Sequence, residues 1–339
     1  MRLTLRTSVF ALIFLPCVLQ AHHSIVVHYD PEDVRAIDGT LESLIWRNPH
    51  TVWVFSVEDE QGERTTWRAE GGSVNTLERN GLSREMFPVG QALTVIGPVA
   101  RSGRNLMVAV QTVVDGNEYG IFPALSDELS EELPPETQPT FTSAAGYVIS
   151  YAPATDLFRV WTPVDFPATG VRPVPLPLTD SAQASLDQYD PASGDLAAQC
   201  VPAGMPSMLD QPYPIEFIDE GDRITMRVEE WNGVRTIYMS DDGGDEGLGT
   251  IYGRSTGRLD GNTLTIETTG ISYPYYNDAG VPLTEDAVVT ERYTLSEDGR
   301  RMDWTVTTVD PSVFTAETSL AGWYVWAPDI EIKEFQCVE

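Results

Sequence analysis

The stretch TVWVFSVEDEQGERTTWRAE, residues 51–70, contains two segments in which apolar and polar residues alternate, separated by a turn signal at 59–62. Alternation with a period of two on both sides of a short turn with Gly62 predicts an antiparallel β-hairpin. Further segments with the same alternation surround this hairpin. They are residues 36–46, 92–98 and 106–114. The N-terminal part of the chain is therefore predicted to be built from short β-strands.

One short helical pattern interrupts these strands. Residues 73–80 carry it, and Gly81 follows as a plausible C-cap. Five strands with a single helix between the third and the fourth is the strand order of an OB-fold. We therefore predict a small OB-fold-like five-stranded barrel.

The C-terminal half shows the same alternation in seven more segments. They are residues 224–230, 235–240, 251–259, 263–269, 287–295, 301–309 and 331–337. Turn signals rich in Gly, Asp and Asn separate several of them, at 220–222, 260–262 and 297–299. Seven or more antiparallel strands in one unit predict a larger, lipocalin-like β-barrel that can enclose a ligand. The expected fold class is all-β.

The first residues have the features of a signal peptide. Arg2 and Arg6 are basic, residues 9–15 are apolar but too few to span a bilayer, and residues 18–21 resemble a cleavage site that ends in Ala21. Lipidation at Cys17 is the weaker alternative, because a proline precedes that cysteine. We expect a bacterial periplasmic or secreted protein, cleaved near Ala21, with no membrane span after cleavage.

These patterns divide the chain into five parts. The parts are a signal peptide (1–21), an OB-fold-like domain (22–115), an acidic, Pro-rich linker (116–147), a wrapping segment with a short helix (148–199), and an antiparallel β-barrel domain closed by a disulfide (200–339). Thr179 or Asp180 is the expected N-cap of the short helix.

Charge and cysteine usage narrow the range of partners. The chain has 51 acidic and 21 basic residues, a formal net charge of −30, and such a surface repels nucleic acid phosphates and anionic membranes. Nucleic acid binding is therefore not expected. Once Cys17 has left with the signal peptide, Cys200 and Cys337 are the remaining cysteines, and an oxidising compartment favours a disulfide between them.

Several motifs resemble known families. The N-terminal ones resemble an uncharacterised family of periplasmic bacterial domains with an Ala-His-His-Ser mature N-terminus; they are residues 21–24, 39–41, 46–50 and Trp67. The C-terminal ones are similar to a second uncharacterised, secreted β-barrel family; they are residues 200–206, 212–217, 257–264, 291–293 and 310–311. That second pattern has Gly-His-Ser where this chain has Arg254 between Gly253 and Ser255, and Trp-Glu-Gly-Asp where this chain has residues 259–262. The resemblance implies export and β-architecture, and no established activity.

The histidines are confined to the N-terminal part of the chain. They are His22, His23, His28 and His50. If cleavage follows Ala21, the free amine and imidazole of His22 could chelate copper or another late transition metal, with His50 or His28 completing the nitrogen ligands. Cleavage one residue earlier makes His23 the third residue, which favours square-planar Cu(II). The alternative is that His22 and His23 mark a flexible terminus and that His50 is a hydrogen-bonded turn residue.

Carboxylates on or beside the strands of the larger barrel are the candidates for acid–base catalysis. They are Glu216, Glu229, Glu291 and Asp303. Pairs of inward-facing carboxylates can transfer protons. Outward positions and structural Arg–carboxylate pairs are the alternative.

Two aromatic groups are the candidates for ligand binding. They contain Tyr273, Tyr275 and Tyr276, and Trp323 and Trp326. Placed at the mouth of a barrel, they could receive a small apolar molecule. The alternative is that they belong to an ordinary β-sheet core, in which aromatic residues are common.

Three functional hypotheses follow. The preferred one is an exported periplasmic binding protein of unknown ligand, with copper or another late transition metal as a further ligand of the histidine cluster. The second is an enzyme, a hydrolase, hydratase or isomerase, that uses carboxylates inside the larger barrel. The third is an interaction module that binds an envelope protein and has no small-molecule site.

Overall fold

The structure is a computed structural model. It describes residues 28–122, 152–163, 175–190, 196, 199–240 and 244–337. The predicted signal peptide, His22, His23 and most of the predicted linker lie outside the described residues.

The N-terminal unit is a closed five-stranded barrel. Its strands are β1 (Tyr29–Ile45), β2 (Val52–Glu58), β3 (Arg64–Glu70), β4 (Ala92–Ala100) and β5 (Leu106–Val108). They pair in the order β1-β2-β3-β5-β4, and β4 pairs back to β1. Two more strands extend the sheet beyond β4, namely β6 (Gln111–Val114) and β7 (Asn117–Gly120). The predicted OB-fold-like barrel is confirmed.

The helix predicted between the third and fourth strands is α1 (Val74–Arg79). Its N-cap is Ser73, whose side chain accepts a hydrogen bond from the Thr76 N–H, and Gly81 follows with a φ of 79°. Leu77 of this helix is buried against the barrel core, beside residues such as Trp53. The helix therefore closes one end of the small barrel.

The segment 106–114, predicted as one strand, is two strands in the structure. Between them the Ala109 N–H donates to Glu70 O of β3, and the Val110 N–H donates to Ile96 O of β4. The chain changes its strand partner at this point, and the continuous apolar sequence does not reveal that change.

The C-terminal unit is a closed nine-stranded barrel. Its strands are β8 (Val160–Pro163), β9 (Ile215–Asp219), β10 (Arg223–Val228), β11 (Gly233–Tyr238), β12 (Arg254–Asp260), β13 (Thr263–Thr269), β14 (Val288–Leu295), β15 (Met302–Val309) and β16 (Thr318–Val325). Each strand pairs with the next in sequence, and β16 pairs with β8 to close the ring. All neighbours are antiparallel except β11 and β12, which are parallel. The predicted larger β-barrel is confirmed.

Several details of the larger barrel differ from the sequence-based expectation, and strands β9 and β16 lie outside all the segments predicted as strands. Strand β8 comes from the segment expected to wrap the barrel, which also contains the predicted short helix, α2 (Asp180–Leu186), with Thr179 as its N-cap. The strand predicted at 331–337 is wrong. Residues 331–336 form no strand, and Cys337 makes only an isolated bridge with Asn48 of the small barrel.

The C-terminal segment 331–337 lies between the two barrels. The Lys333 N–H donates to Glu229 Oε2 at 2.8 Å, and Asn75 of helix α1 donates to Glu334 O at 3.3 Å. The predicted disulfide between Cys200 and Cys337 is present and ties this segment to the larger barrel. No helix among the described residues combines the length and the apolar character that crossing a membrane requires.

Candidate functional site

The two described histidines of the predicted metal set occupy different surroundings. His50 Nδ1 lies 2.9 Å from Gly71 O and therefore carries the proton, because a carbonyl oxygen only accepts hydrogen bonds. Burial, followed by the charge of Arg104, lowers the pKa of His28. Within the ranges that the structure describes, no three His, Cys, Asp or Glu side chains form a group suited to a metal ion. Since His22 and His23 lie outside those ranges, the copper site stays a prediction.

All four predicted carboxylates are held in ion pairs with arginine side chains, and the pair of Glu291 lies inside the larger barrel. Glu216 pairs with Arg227 at 2.7 Å, and Asp303 pairs with Arg301 on the exposed face of the barrel. Glu229 is fully buried and pairs with Arg79 of helix α1. Glu216, Glu229 and Asp303, like Glu291, therefore form Arg–carboxylate pairs. Such structural pairs are the alternative to a catalytic role that the sequence analysis named.

The predicted aromatic residues are not brought together at one place. Tyr273 and Tyr276 are buried, and Tyr275 lies edge-on to Tyr273, with ring centroids 6.2 Å apart. Each tryptophan instead lies beneath an arginine: Trp326 beneath Arg159 at 4.4 Å, and Trp323 beneath Arg301 at 5.2 Å. The tyrosines pack near the loop at 200–210, where Gly204 approaches the Tyr273 ring.

Glu291, the fourth predicted carboxylate, faces the interior of the larger barrel. There it belongs to a set of buried polar side chains, one from each of six consecutive strands, which we call the polar belt: Arg235, Ser255, Thr268, Glu291, Thr308 and Thr318. The register supports this arrangement, because Ser255 faces Thr268 across β12 and β13, and Thr308 faces Thr318 across β15 and β16. The remaining inward positions of these strands are mainly apolar.

The centre of the polar belt is an ion pair between Arg235 and Glu291 Oε2, to which the Tyr293 hydroxyl also donates at 2.9 Å. Burial alone would lower the pKa of Arg235, but the Glu291 carboxylate outweighs burial and the pKa is raised. The guanidinium also contacts the sulfur atoms of Met226 and Met205. Met205 belongs to the loop at 200–210, so this loop covers the belt at one end of the barrel.

Three further carboxyl groups lie at the same end of the barrel, and we call the region that they line the mouth cleft: Asp210, Glu230 and Asp278. Asp278 is exposed to solvent and accepts a hydrogen bond from Ser207 Oγ at 3.0 Å. Surrounding protein nevertheless desolvates this carboxyl enough to raise its pKa. Asp278 therefore lies among protein atoms while part of its side chain stays open to solvent.

Glu230 has the most strongly perturbed carboxyl group of the cleft. Burial, followed by the charges of Asp278 and Asp210, raises its pKa well above the ordinary value. Within the described part of the chain, its carboxyl group has no hydrogen-bond or ion-pair partner. The next two residues, Trp231 and Asn232, both have left-handed backbones, with φ of 57° and 53°.

This turn is fixed by the C-terminal segment. Asn232 donates to Phe335 O at 2.8 Å and accepts from the Phe335 N–H at 2.9 Å. The small barrel also lies beside this turn, because Arg79 of helix α1 pairs with Glu229, the residue before Glu230. The mouth cleft therefore lies where the two barrels meet, and Glu230 is held at a defined position in it.

Sequence reasoning missed all three cleft carboxylates. Asp210 and Asp278 lie in loops, and Glu230 is the second residue after the end of strand β10. The one local signal in the sequence is the pair Glu229 and Glu230 at the end of a predicted strand. Adjacent side chains of a strand point to opposite faces of the sheet, so these two carboxylates are expected in different surroundings.

Comparison with known proteins bears on the N-terminal part of the chain. No curated protein matches the chain significantly. Residues 11–109, which include His50 and most of the small barrel, match the model of DUF6152, a family of unknown function. The N-terminal part of the chain is therefore similar to an uncharacterised family.

Proposed function

We propose that the protein is an exported small-molecule-binding protein whose binding site is the mouth cleft. The observation that carries the proposal is the surroundings of Asp278, a solvent-exposed carboxyl group desolvated by the protein around it. Concave sites with a few convergent polar groups and perturbed pKa values are the usual places for ligands. The signal-peptide features and the disulfide between Cys200 and Cys337 support export.

The chemistry of the cleft favours a cationic ligand. Its three carboxyl groups can accept hydrogen bonds and ion pairs, and the chain as a whole carries a formal net charge of −30. The buried ring of Tyr276 lies close enough to Asp210 for that charge to raise the pKa of its hydroxyl, after burial itself. An aromatic ring beside carboxylates suits an organic ammonium group.

Calorimetric titration of the mature protein with choline, and with its neutral isostere 3,3-dimethylbutan-1-ol, tests this proposal. We expect choline to bind and Asp278→Asn to weaken its binding at least about tenfold, because the carboxylate charge that attracts the quaternary ammonium is lost. Asp303→Asn is the matched control, since Asp303 pairs with Arg301 on the exposed face. Equal binding of choline and the neutral isostere, or no binding of either, would refute the cationic site.

The pH dependence of binding provides a second test. Glu230 is protonated at low pH and becomes anionic as the pH rises through its raised pKa, so choline affinity should increase over that interval. Glu230→Gln should weaken this dependence and leave the part that comes from Asp278, whose pKa is also raised. An unchanged pH profile in the variant would show that Glu230 does not contact the ligand.

An acid–base enzyme is the second candidate function, and the environment of Glu230 favours it. In acid–base enzymes, a carboxyl group with a raised pKa acts as the acid, and a neighbouring carboxylate acts as the base or nucleophile. Glu230 beside the other cleft carboxylates has this arrangement. Chromogenic esters and glycosides form a suitable first panel. Hydrolysis that is lost in Glu230→Gln and kept in Asp303→Asn would support this candidate, and the absence of turnover across the panel would count against hydrolysis.

A further inference from the structure

Two buried oxygen atoms of the polar belt lack a hydrogen-bond partner among the described residues. They are Glu291 Oε1 and Thr308 Oγ1, in residues that are 0% and 1% exposed. A buried acceptor without a donor costs about 1–3 kcal/mol, and more when it belongs to a charged group. Folded proteins rarely leave such atoms unsatisfied. An occupant that supplies hydrogen-bond donors is therefore expected at this point.

The two residues are buried, inward positions on the neighbouring strands β14 and β15. Thr308 lies directly opposite Val289, which points inward two residues before Glu291 on strand β14. Diagonal neighbours of this kind are roughly 7–8 Å apart between α-carbons. A single donor group bound between the two side chains would therefore be within hydrogen-bond reach of both oxygen atoms.

The charge balance of the belt selects the kind of group. Arg235 already neutralises Glu291, so a cation would add an uncompensated buried charge, and an anion would face the unpaired carboxylate oxygen. Val289 and Val306 beside the site are buried and apolar. We propose that the polar belt is a second binding site, which takes a neutral hydrogen-bond donor, a primary amide or an alcohol, attached to an apolar body.

The ligand enters from the mouth cleft past Met205. The Met205 sulfur contacts the Arg235 guanidinium at 3.3 Å, which places this side chain at the mouth end of the belt. Methionine is unbranched and flexible, so it can change rotamer at low cost. The backbone of the same loop stays anchored by the disulfide at Cys200.

Calorimetric titration of the mature protein with octanamide, 1-octanol and octanoate tests the ligand class. We expect octanamide and 1-octanol to bind, and octanoate to bind at least about tenfold more weakly, because a carboxylate cannot donate to Glu291 Oε1. Octanoate binding as tightly as octanamide would overturn the proposal. No binding by any of the three would also overturn it and would indicate that only water occupies the belt.

Thr308→Val tests the location. The change keeps the shape of the side chain and removes a hydroxyl that has no partner, so the melting temperature should not fall, while octanamide affinity should fall about fivefold. Thr112→Val is the matched control, because Thr112 Oγ1 is equally buried and unpartnered in the small barrel. Equal octanamide affinity in the two variants would overturn the proposal. Choline binding at the mouth cleft should survive Thr308→Val, so failures of the two proposed sites are distinguishable.

Discussion

The buried carboxylate of Glu229 joins the two barrels, and Glu229→Gln should destabilise the protein by about 3 kcal/mol. Its Oε2 accepts from Arg79 and from the Lys333 N–H, and its Oε1 accepts from Asn75 Nδ2 at 3.1 Å. A glutamine can keep the first two bonds, but its amide nitrogen then faces the Asn75 nitrogen. Asn75 cannot turn over without losing the bond that its Oδ1 accepts from Asn48.

The estimate follows from burial. Glu229 is fully buried and the Arg79 side chain is 11% exposed, so neutralising the carboxylate leaves a nearly buried guanidinium without its counter-charge. Breaking a buried ion pair in this way costs about 3–5 kcal/mol, and we take the lower end because the glutamine retains two contacts. Glu216→Gln removes a half-exposed pair with Arg227 and should cost less than about 1 kcal/mol.

Urea unfolding followed by tryptophan fluorescence measures both free energies. The double variant Glu229→Gln with Arg79→Met should recover at least about 1 kcal/mol, since no unpaired charge then remains. A loss below about 1 kcal/mol in the single variant, or no recovery in the double variant, would refute the view that this ion pair holds the barrels together.

Three further predictions concern the disulfide, Glu230 and the histidines. Cys200→Ser with Cys337→Ser should lower the free energy of unfolding by about 4–5 kcal/mol, because the crosslink spans 137 residues; a urea midpoint equal to that of the wild type would contradict this. The raised pKa of Glu230 means that the folded state holds its proton more tightly than the unfolded state. Its contribution to stability should be complete below the ordinary pKa of 4.5 and decline as the pH rises through the folded value, and Glu230→Gln should flatten that decline in a series of melting curves. Cu(II) titration of correctly cleaved protein should show weaker binding in His22→Ala and His50→Ala, and unchanged affinity in both would exclude the predicted copper site.

The small barrel could be predicted because its core follows local rules. Trp53 and Phe55 are fully buried at alternate positions of β2, which is the period-two signal of a half-buried strand. Ser73 caps the one helix with its own side chain. Alternation, turn and cap all act within a few residues of sequence, so the sequence is sufficient to reveal them.

The end of the chain was predicted less well, because its backbone partners are distant side chains. Residues 331–337 were predicted as a strand, but the Lys333 and Phe335 N–H groups donate to the side chains of Glu229 and Asn232. The true last strand, β16, contains Gly322, which weakens its strand pattern. A Cβ at that position would lie 3.0 Å from the Trp304 ring, so close packing against β15 requires a residue without a side chain.

The mouth cleft could not be predicted, because loops that are far apart in sequence bring its groups together. The charges of Asp278 and Asp210 both raise the pKa of Glu230, although 68 positions separate the two aspartates in the sequence. Composition and periodicity identify the strands of a barrel, but they do not say which loops meet at one end of it. The order in which the strands pair around the ring, closed by β8 and β16, determines which loops lie at the same end.

The polar belt and the mouth cleft belong to the same end of the larger barrel, and Tyr324 connects them. After burial, the charges of both Asp210 and Glu291 raise the pKa of its hydroxyl, so this one ring lies between a group of the cleft and a group of the belt. A buried ion pair such as Arg235 with Glu291 is often no more stabilising than apolar side chains of the same volume. Among the residues that the structure describes, one oxygen of this carboxylate has no hydrogen-bond partner, which is a further cost to stability. Stability alone therefore does not account for charged residues at this depth, whereas a ligand that enters through the cleft and donates to Glu291 does.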